Sequence, residues 1–169
     1  MDDLLARLRT LTKQERYDAA IALCDTALAS TEGDGRARLW RLRAYVHQQM
    51  GRDDLAIIDA STGLLEQPGE LSLLFERATV YLELRQFAEA NADLEQLLDI
   101  EQRQGGDFFD GAARIFQAIC LSNLGRADDA LPIILGLRED ARTWALGRLW
   151  TRDELEAENR AQLSTRQTF

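Results

Sequence analysis

Apolar residues recur along this chain at helical spacing, in blocks of roughly 12–15 residues separated by short polar breaks. Leu39, Leu42, Val46 and Met50 fall on one helix face, with Trp40 and Ala44 beside them. Ile57, Ile58, Leu64 and Leu65 mark the next block, with Ala60 and Gly63 on the same side. Leu74, Ala78, Tyr81 and Leu82 then precede Ala90, Leu94, Leu97 and Leu98. A last pair of blocks carries Ile115, Ala118, Ile119 and Leu121, then Ala130, Ile134 and Leu137. The pattern predicts an all-helical chain built from pairs of amphipathic helices.

The pairs repeat. Tyr17-Asp18-Ala19-Ala20, Asp53-Asp54-Leu55-Ala56, Phe87-Ala88-Glu89-Ala90 and Ala127-Asp128-Asp129-Ala130 each end in alanine and lead into an apolar run. Those alanines are 36, 34 and 40 residues apart. Chain-reversing pairs, Gly51-Arg52, Arg85-Gln86 and Gly125-Arg126, begin five residues before the last three of them. Glycine takes the left-handed conformation at low cost, so the two Gly-Arg pairs read as helix ends. Two helices per unit of about 34 residues define a helix–turn–helix array in which no unit buries its apolar face alone.

Period and small-residue positions together resemble tetratricopeptide repeats. In that family a large residue stands at position 4, small residues at 8, 20 and 27, glycine near 15 and proline at 32. Counted from Ala37, the second unit places Trp40, Ala44, Gly51, Ala56, Ala60, Gly63 and Pro68 at positions 4, 8, 15, 20, 24, 27 and 32. Counted from Leu71, the third places Ala78, Tyr81, Phe87 and Ala90 at 8, 11, 17 and 20. The first unit keeps Tyr17, Ala20 and Ala27 but has Leu8 at a small position. The fourth, from Gly111, keeps Ala118, Leu121, Gly125 and Ala130 but carries Leu137 at position 27. The resemblance covers residues 1–138 and implies a right-handed all-α solenoid with C-terminal capping helices. One domain over 1–163 is expected, with units 1–36, 37–70, 71–110 and 111–138, a cap over 139–163 and a frayed tail over 164–169.

Two departures stand out. Residues 101–110 lengthen the third-to-fourth connection by six over the period, and Asp107 is placed to cap a helix starting at Phe108. Pro132, inside the second helix of the fourth unit, should kink or shorten it. Beyond Arg138 the period fails. Asp140 to Leu149, with Trp144, Leu146 and Leu149, is compatible with one more helix, and Thr151-Arg152-Asp153-Glu154 reads as a capping box opening a polar helix through about Gln162. This segment reads as a solvating cap, or as a place where Trp144 and Trp150 dock a partner.

Composition sharpens the picture by exclusion. Of 169 residues, 46% are hydrophobic and 29% charged, with two prolines and eleven glycines, which fits a helical globular chain rather than disorder or an all-β fold. Twenty Lys and Arg against twenty-nine Asp and Glu leave a net charge of −9, which repels phosphate backbones. No run of about 18 apolar residues, no polybasic cluster and no secretory signal occur. Neither nucleic acid nor membrane is expected as a partner. Cys24 and Cys120 read as buried free thiols of a cytoplasmic protein.

Candidate chemistry is sparse. One histidine, His47, excludes two-histidine metal sites and is read as a satisfied residue of the inter-helix face. There is no GxGxxG, no CxxC and no phosphate loop ending in Gly-Lys-Ser or Gly-Lys-Thr. The pairs Asp53-Asp54 and Asp128-Asp129 stand where helices begin, where capping and the helix dipole account for them. No enzyme, metal or cofactor is expected.

Surface recognition remains. Positions 2, 5, 9 and 12 of a unit's first helix share one face, and the resemblance implies that this face lines a concave peptide groove. The corresponding residues include Arg9, with Thr12 as an alternative helix cap, then Arg38, Arg41, Tyr45 and Gln48, then Phe75 and Thr79, then Ile115 and Ile119. One end is basic, the other apolar. The family's carboxylate clamp is not matched, since Arg41 and Tyr45 replace its Lys and Asn. The sequence points first to a non-catalytic module binding a protein or peptide in this groove. A second reading is a dedicated one-partner binder, such as an antitoxin-type immunity protein or a secretion chaperone, whose acidic face, with Asp59 and Asp93, covers a basic partner. Self-association through exposed helical ends is the third.

Overall fold

The computed structural model describes residues 2–166, so Gln167 to Phe169 of the expected tail lie outside the described residues. In chain order come α1 (Asp2–Lys13), α2 (Tyr17–Leu28), α3 (Asp34–Gln49), α4 (Asp53–Glu66), α5 (Leu71–Glu83), α6 (Phe87–Gln104), α7 (Asp110–Asn123) and α8 (Ala127–Gly136). A hairpin follows, β1 (Arg142–Ala145) and β2 (Arg148–Thr151), then α9 (Arg152–Arg166), which includes residues 164–166 of the expected tail. This is an all-α helical-repeat fold carrying one small hairpin. The chain divides into two compact units, Met1–Val80 and Tyr81–Phe169, a division that falls inside the expected third repeat.

Each helix pair turns back by the same device. Glu15, Gly51, Arg85 and Gly125 hold φ of 57°, 68°, 59° and 74°. The following amide donates to the carbonyl five residues earlier: Arg16 to Leu11, Arg52 to His47, Gln86 to Tyr81 and Arg126 to Leu121, at 2.8–2.9 Å. These are Schellman closures, which satisfy the last carbonyls of the first helix. The carbonyls of the same four residues, Arg16, Arg52, Gln86 and Arg126, then accept from the amides of Ala20, Ala56, Ala90 and Ala130. All four alanines are fully buried. The alanine spacing seen in the sequence is thus the spacing of a backbone motif.

In Met1–Val80 the core contains Leu5, Leu8, Leu11, Cys24, Leu39, Leu42 and Val46. A second cluster joins Ala37, Ala44, Ala56, Ala60, Leu73 and Val80 against Trp40, Ile57 and Leu64. Leu8 and Leu137, the large residues at small-residue positions, are both buried and fill volume that alanine would leave open. Of the expected α4 stripe, Ile57 and Leu64 pack inward, while Ile58 and Leu65 face solvent.

Three local expectations are corrected. The six extra residues extend α6 to 18 residues and close it with Gly105 in the left-handed conformation; α7 starts at Asp110, so Asp107 caps nothing. Instead, the buried Glu101 accepts the Phe109 amide at 2.8 Å through Oε1 and fastens the loop. Thr12 lies within α1 and donates to the Leu8 carbonyl at 2.9 Å rather than capping a helix. Where a further helix was expected, residues 142–151 form the hairpin, with Ala145 opposite Arg148 across the two-residue turn Leu146-Gly147. Both turn residues hold positive φ, the twist that hairpins favour, and Thr143, Trp144, Trp150 and Thr151 suit a pleated surface better than a helix. The capping box does form: Glu154 accepts from the Thr151 amide at 2.9 Å, and Thr151 Oγ1 accepts from the Glu154 amide at 3.3 Å. Pro132 stands inside α8, which at 10 residues is shorter than the 14 of α4 or the 18 of α6.

Candidate binding site

The first helices of the unit Met1–Val80 bring the basic residues together. Arg9 of α1 and Arg38 and Arg41 of α3 line one cleft of about 200 Å³, floored by Leu5 and Leu42 and edged by Glu70 and Ser72. Arg38 and Arg41 sit there because they are three residues apart on α3, the spacing that puts two side chains on neighbouring turns of one face. Arg9 and Leu42 also line an adjoining cleft of about 360 Å³ with Thr12, Lys13, Tyr17 and Tyr45. The two clefts therefore share a wall. Tyr45 presents 40% of its surface to solvent. Gln48, Phe75 and Thr79 are half-buried and line neither cleft, and Thr79 spends its hydroxyl on the Phe75 carbonyl at 2.8 Å.

Charge in the first cleft is uneven. Arg9 and Arg38 have no ion pair or side-chain hydrogen bond among the described residues. Arg41 lies 4.0 Å from Glu76 of α5. Burial pushes the Glu76 carboxyl up to about 7, with Arg41 pulling weakly the other way. The cleft thus sets three guanidiniums against one lining carboxylate, Glu70, while Glu76 beside Arg41 resists ionising.

Ile115 and Ile119, expected as the apolar end of a groove, belong to the interior. Each is 1% exposed, within the unit Tyr81–Phe169. There β1 and α9 pack on α7, so the C-terminal segment consumes this apolar face. Trp150 docks inside its own unit, 7% exposed, with Nε1 donating to the Ala145 carbonyl at 3.0 Å; Trp144 is 66% exposed.

Sequence reasoning missed a polar cluster under α3. Asp59 is 2% exposed and accepts from Arg43 through both oxygens, at 2.6 and 3.0 Å, and lies 2.9 Å from His47 Nδ1. Arg43 reaches on to Asp25 at 2.5 Å and stacks 4.5 Å over the Trp40 ring. Asp59 therefore cannot contribute to an acidic outer face, and neither can Asp93, 5% exposed. The available signal was the spacing of Arg43, His47 and Asp59, which sets an acid on α4 against two nitrogen bases one turn apart on α3. Cys24 lies near this cluster, but burial raises its thiol to about 12, and that of Cys120 likewise, leaving both as poor nucleophiles.

No family model matches the sequence, and no curated protein matches it. Solved structures do. A Podosopora anserina putative kinesin light chain with nearly identical TPR-like repeats aligns with 99% of this chain and 88% of its own, at TM-score 0.73 and 16% identity. MamA of MSR-1 aligns with 98% of this chain and 87% of its own, at TM-score 0.69 and 15% identity. YrrB, a TPR protein with an unusual peptide-binding site, aligns with 97% of this chain and 73% of its own, at TM-score 0.61 and 11% identity. At such identities the likeness establishes the tetratricopeptide-like repeat fold.

Proposed function

We propose that this protein is a non-catalytic interaction module whose helical face in Met1–Val80 binds a peptide segment bearing carboxylates. The observation that carries the reading is the convergence of Arg9, Arg38 and Arg41 on one cleft in a chain of net charge −9. Two of those guanidiniums have no internal partner among the described residues. Unpaired guanidiniums over an apolar floor suit carboxylate oxygens, which they bind through charge-assisted, often bidentate hydrogen bonds. The adjoining cleft with Tyr17, Leu42 and Tyr45 offers an apolar and aromatic pocket for a neighbouring side chain. The structurally similar YrrB is a TPR protein with an unusual peptide-binding site, which supports the same class of role here.

Dedicated binding of a basic partner through the acidic face loses two supports, because Asp59 and Asp93 are buried. The test is a binding titration with labelled acidic peptides against wild type and a variant carrying Arg9→Glu and Arg38→Glu. Arg41 is spared because it faces Glu76. Affinity should fall by roughly 2 kcal/mol or more, with unchanged helicity. Equal affinity, or tighter binding of basic peptides by wild type, refutes the reading.

A further inference from the structure

In the unit Tyr81–Phe169, a pocket of about 310 Å³ opens between α7, the hairpin and α9, with Arg85 at its rim. Its floor is apolar: Ile119, Trp150 and Leu155 are 1%, 7% and 3% exposed. The geometry points to a second binding site here, taking a carboxylate carried on an apolar body of side-chain size, the chemistry of a chain-terminal apolar residue or of a small aromatic acid.

The walls are fixed in place. Glu83 Oε1 accepts the Leu146 amide at 2.9 Å, tying the hairpin turn to the end of α5. Trp150 is held by its bond to the Ala145 carbonyl, and Arg148 covers its ring at 3.5 Å while pairing with Glu158. A preformed wall loses little freedom when a ligand enters. Arg148 and Glu158 satisfy each other, which leaves Arg85 as the uncompensated charge. Arg85 makes no ion pair or side-chain hydrogen bond among the described residues. It also holds φ of 59°, at a turn position filled by glycine at Gly51 and Gly125.

Ser122, Asn123 and Gln162 supply the uncharged polar groups of the lining, and Ser122 is placed as a donor. Asn159, fully buried, donates Nδ2 to Ser122 Oγ at 3.3 Å and to the Ala127 carbonyl at 3.0 Å. Ser122 thus accepts from beneath and keeps its hydroxyl proton for a ligand in the pocket it lines. A guanidinium and a hydroxyl donor above an apolar floor select an acceptor-rich, anionic head on an apolar stem.

The test uses 3-phenylpropionate and acetyl-Gly-Gly-Phe with a free or an amidated C-terminus, titrated into the full chain. Binding is followed by NMR shifts of the Ile119 methyls and the Trp150 indole. The free carboxylates should move both signals and the amide should bind roughly tenfold or more weakly, as should all probes to Arg85→Gly. Arg85→Gly removes the guanidinium while relieving the backbone, so its fold should survive; Arg85→Gln provides the same test without the backbone change. Binding of phenylpropionate alone assigns the pocket to small acids, and binding of the peptide alone to chain termini; either supports the site. Equal binding of free and amidated peptide, wild-type affinity in both Arg85 variants, or no shift at millimolar probe overturns it. Arg9→Glu with Arg38→Glu should leave this binding unchanged, which separates the pocket from the proposed peptide face.

Discussion

Replacing Gly63 with alanine tests the packing register of the repeat where it is tightest. A methyl carbon at this position would sit 2.6 Å from Leu73 Cδ1, 3.0 Å from Trp40 Cβ and 3.3 Å from Leu73 Cδ2. Two effects oppose each other. Gly to Ala inside a helix gains about 1 kcal/mol in propensity. Overpacking a closed site costs roughly 1–3 kcal/mol. The clash decides, because neither neighbour yields easily. Trp40 Cβ is fixed to the α3 backbone, and Leu73 is fully buried among Ala37, Ala44, Ala56 and Val80, so its methyl swings only into occupied volume. The expected net loss is about 1 kcal/mol, or about 2–4 °C in thermal midpoint for a chain of this size.

Gly111→Ala in α7 is the internal control, since nothing lies within 4 Å of a methyl there. It should gain up to about 1 kcal/mol. Leu73→Val, which shortens the obstructing side chain, should couple to Gly63→Ala by at least about 0.5 kcal/mol in a double-mutant cycle read from urea melts. If Gly63→Ala is as stabilising as Gly111→Ala, or if the cycle is additive, the α3–α4–α5 packing described above is wrong.

Three further outcomes are expected. Asp59→Ala should cost about 1.5–3 kcal/mol in chemical denaturation, because it removes the buried carboxylate that meets His47 and leaves Arg43 with Asp25 alone, and a loss under 1 kcal/mol would place the cluster in solvent. Glu15→Gly should raise stability by about 0.5–1 kcal/mol, since Glu15 holds φ of 57° and glycine does so without strain; destabilisation would show that its side chain matters more than its backbone. Glu76 carries a pH signature: burial lifts its folded pKa to about 7, above the 4.5 of an exposed glutamate, so the folded state holds the extra proton between those values and stability falls as pH rises through that window. Glu76→Gln should therefore match wild type near pH 5 and exceed it by on the order of 2 kcal/mol at pH 8 in paired thermal melts, whereas a pH-independent difference would disprove the buried carboxyl.

The repeat was legible because it is written twice, in side chains and in backbone. Ala20, Ala56, Ala90 and Ala130 mark close helix approaches, and the same spacing recurs in the left-handed turns at Glu15, Gly51, Arg85 and Gly125. Gly51 and Gly125 announce those turns; Glu15 and Arg85 do not, because a Schellman closure accepts a strained non-glycine residue when the packing on both sides fixes the turn. The hairpin was less legible for a related reason. Arg142 to Thr151 is only ten residues, and Trp144, Leu146 and Leu149 spaced by two and three satisfy a helical template as readily as an alternating one. The deciding signal was the β-forming content on both sides of Leu146-Gly147.

For the proposed binding face, helical geometry alone was enough to bring Arg9, Arg38 and Arg41 to one cleft, since the positions follow from two helices and their spacing. Ile115 and Ile119 occupy matching positions of a later unit, and by that logic they face a groove too. What decides their fate lies outside the repeat. The hairpin and α9 return over α7, and an apolar surface next to a covering element is buried because burial of each large aliphatic side chain yields roughly 1.5–3 kcal/mol. Arginines in the same register resist such covering, because burying a guanidinium without a partner costs more than its stem gains. Within Tyr81–Phe169 the covering segment closes over the isoleucines of α7 and, at the edge of what it covers, leaves the pocket rimmed by Arg85. Position in a repeat thus predicts which way a side chain points, whereas availability for a partner is set by whatever the rest of the chain lays across it.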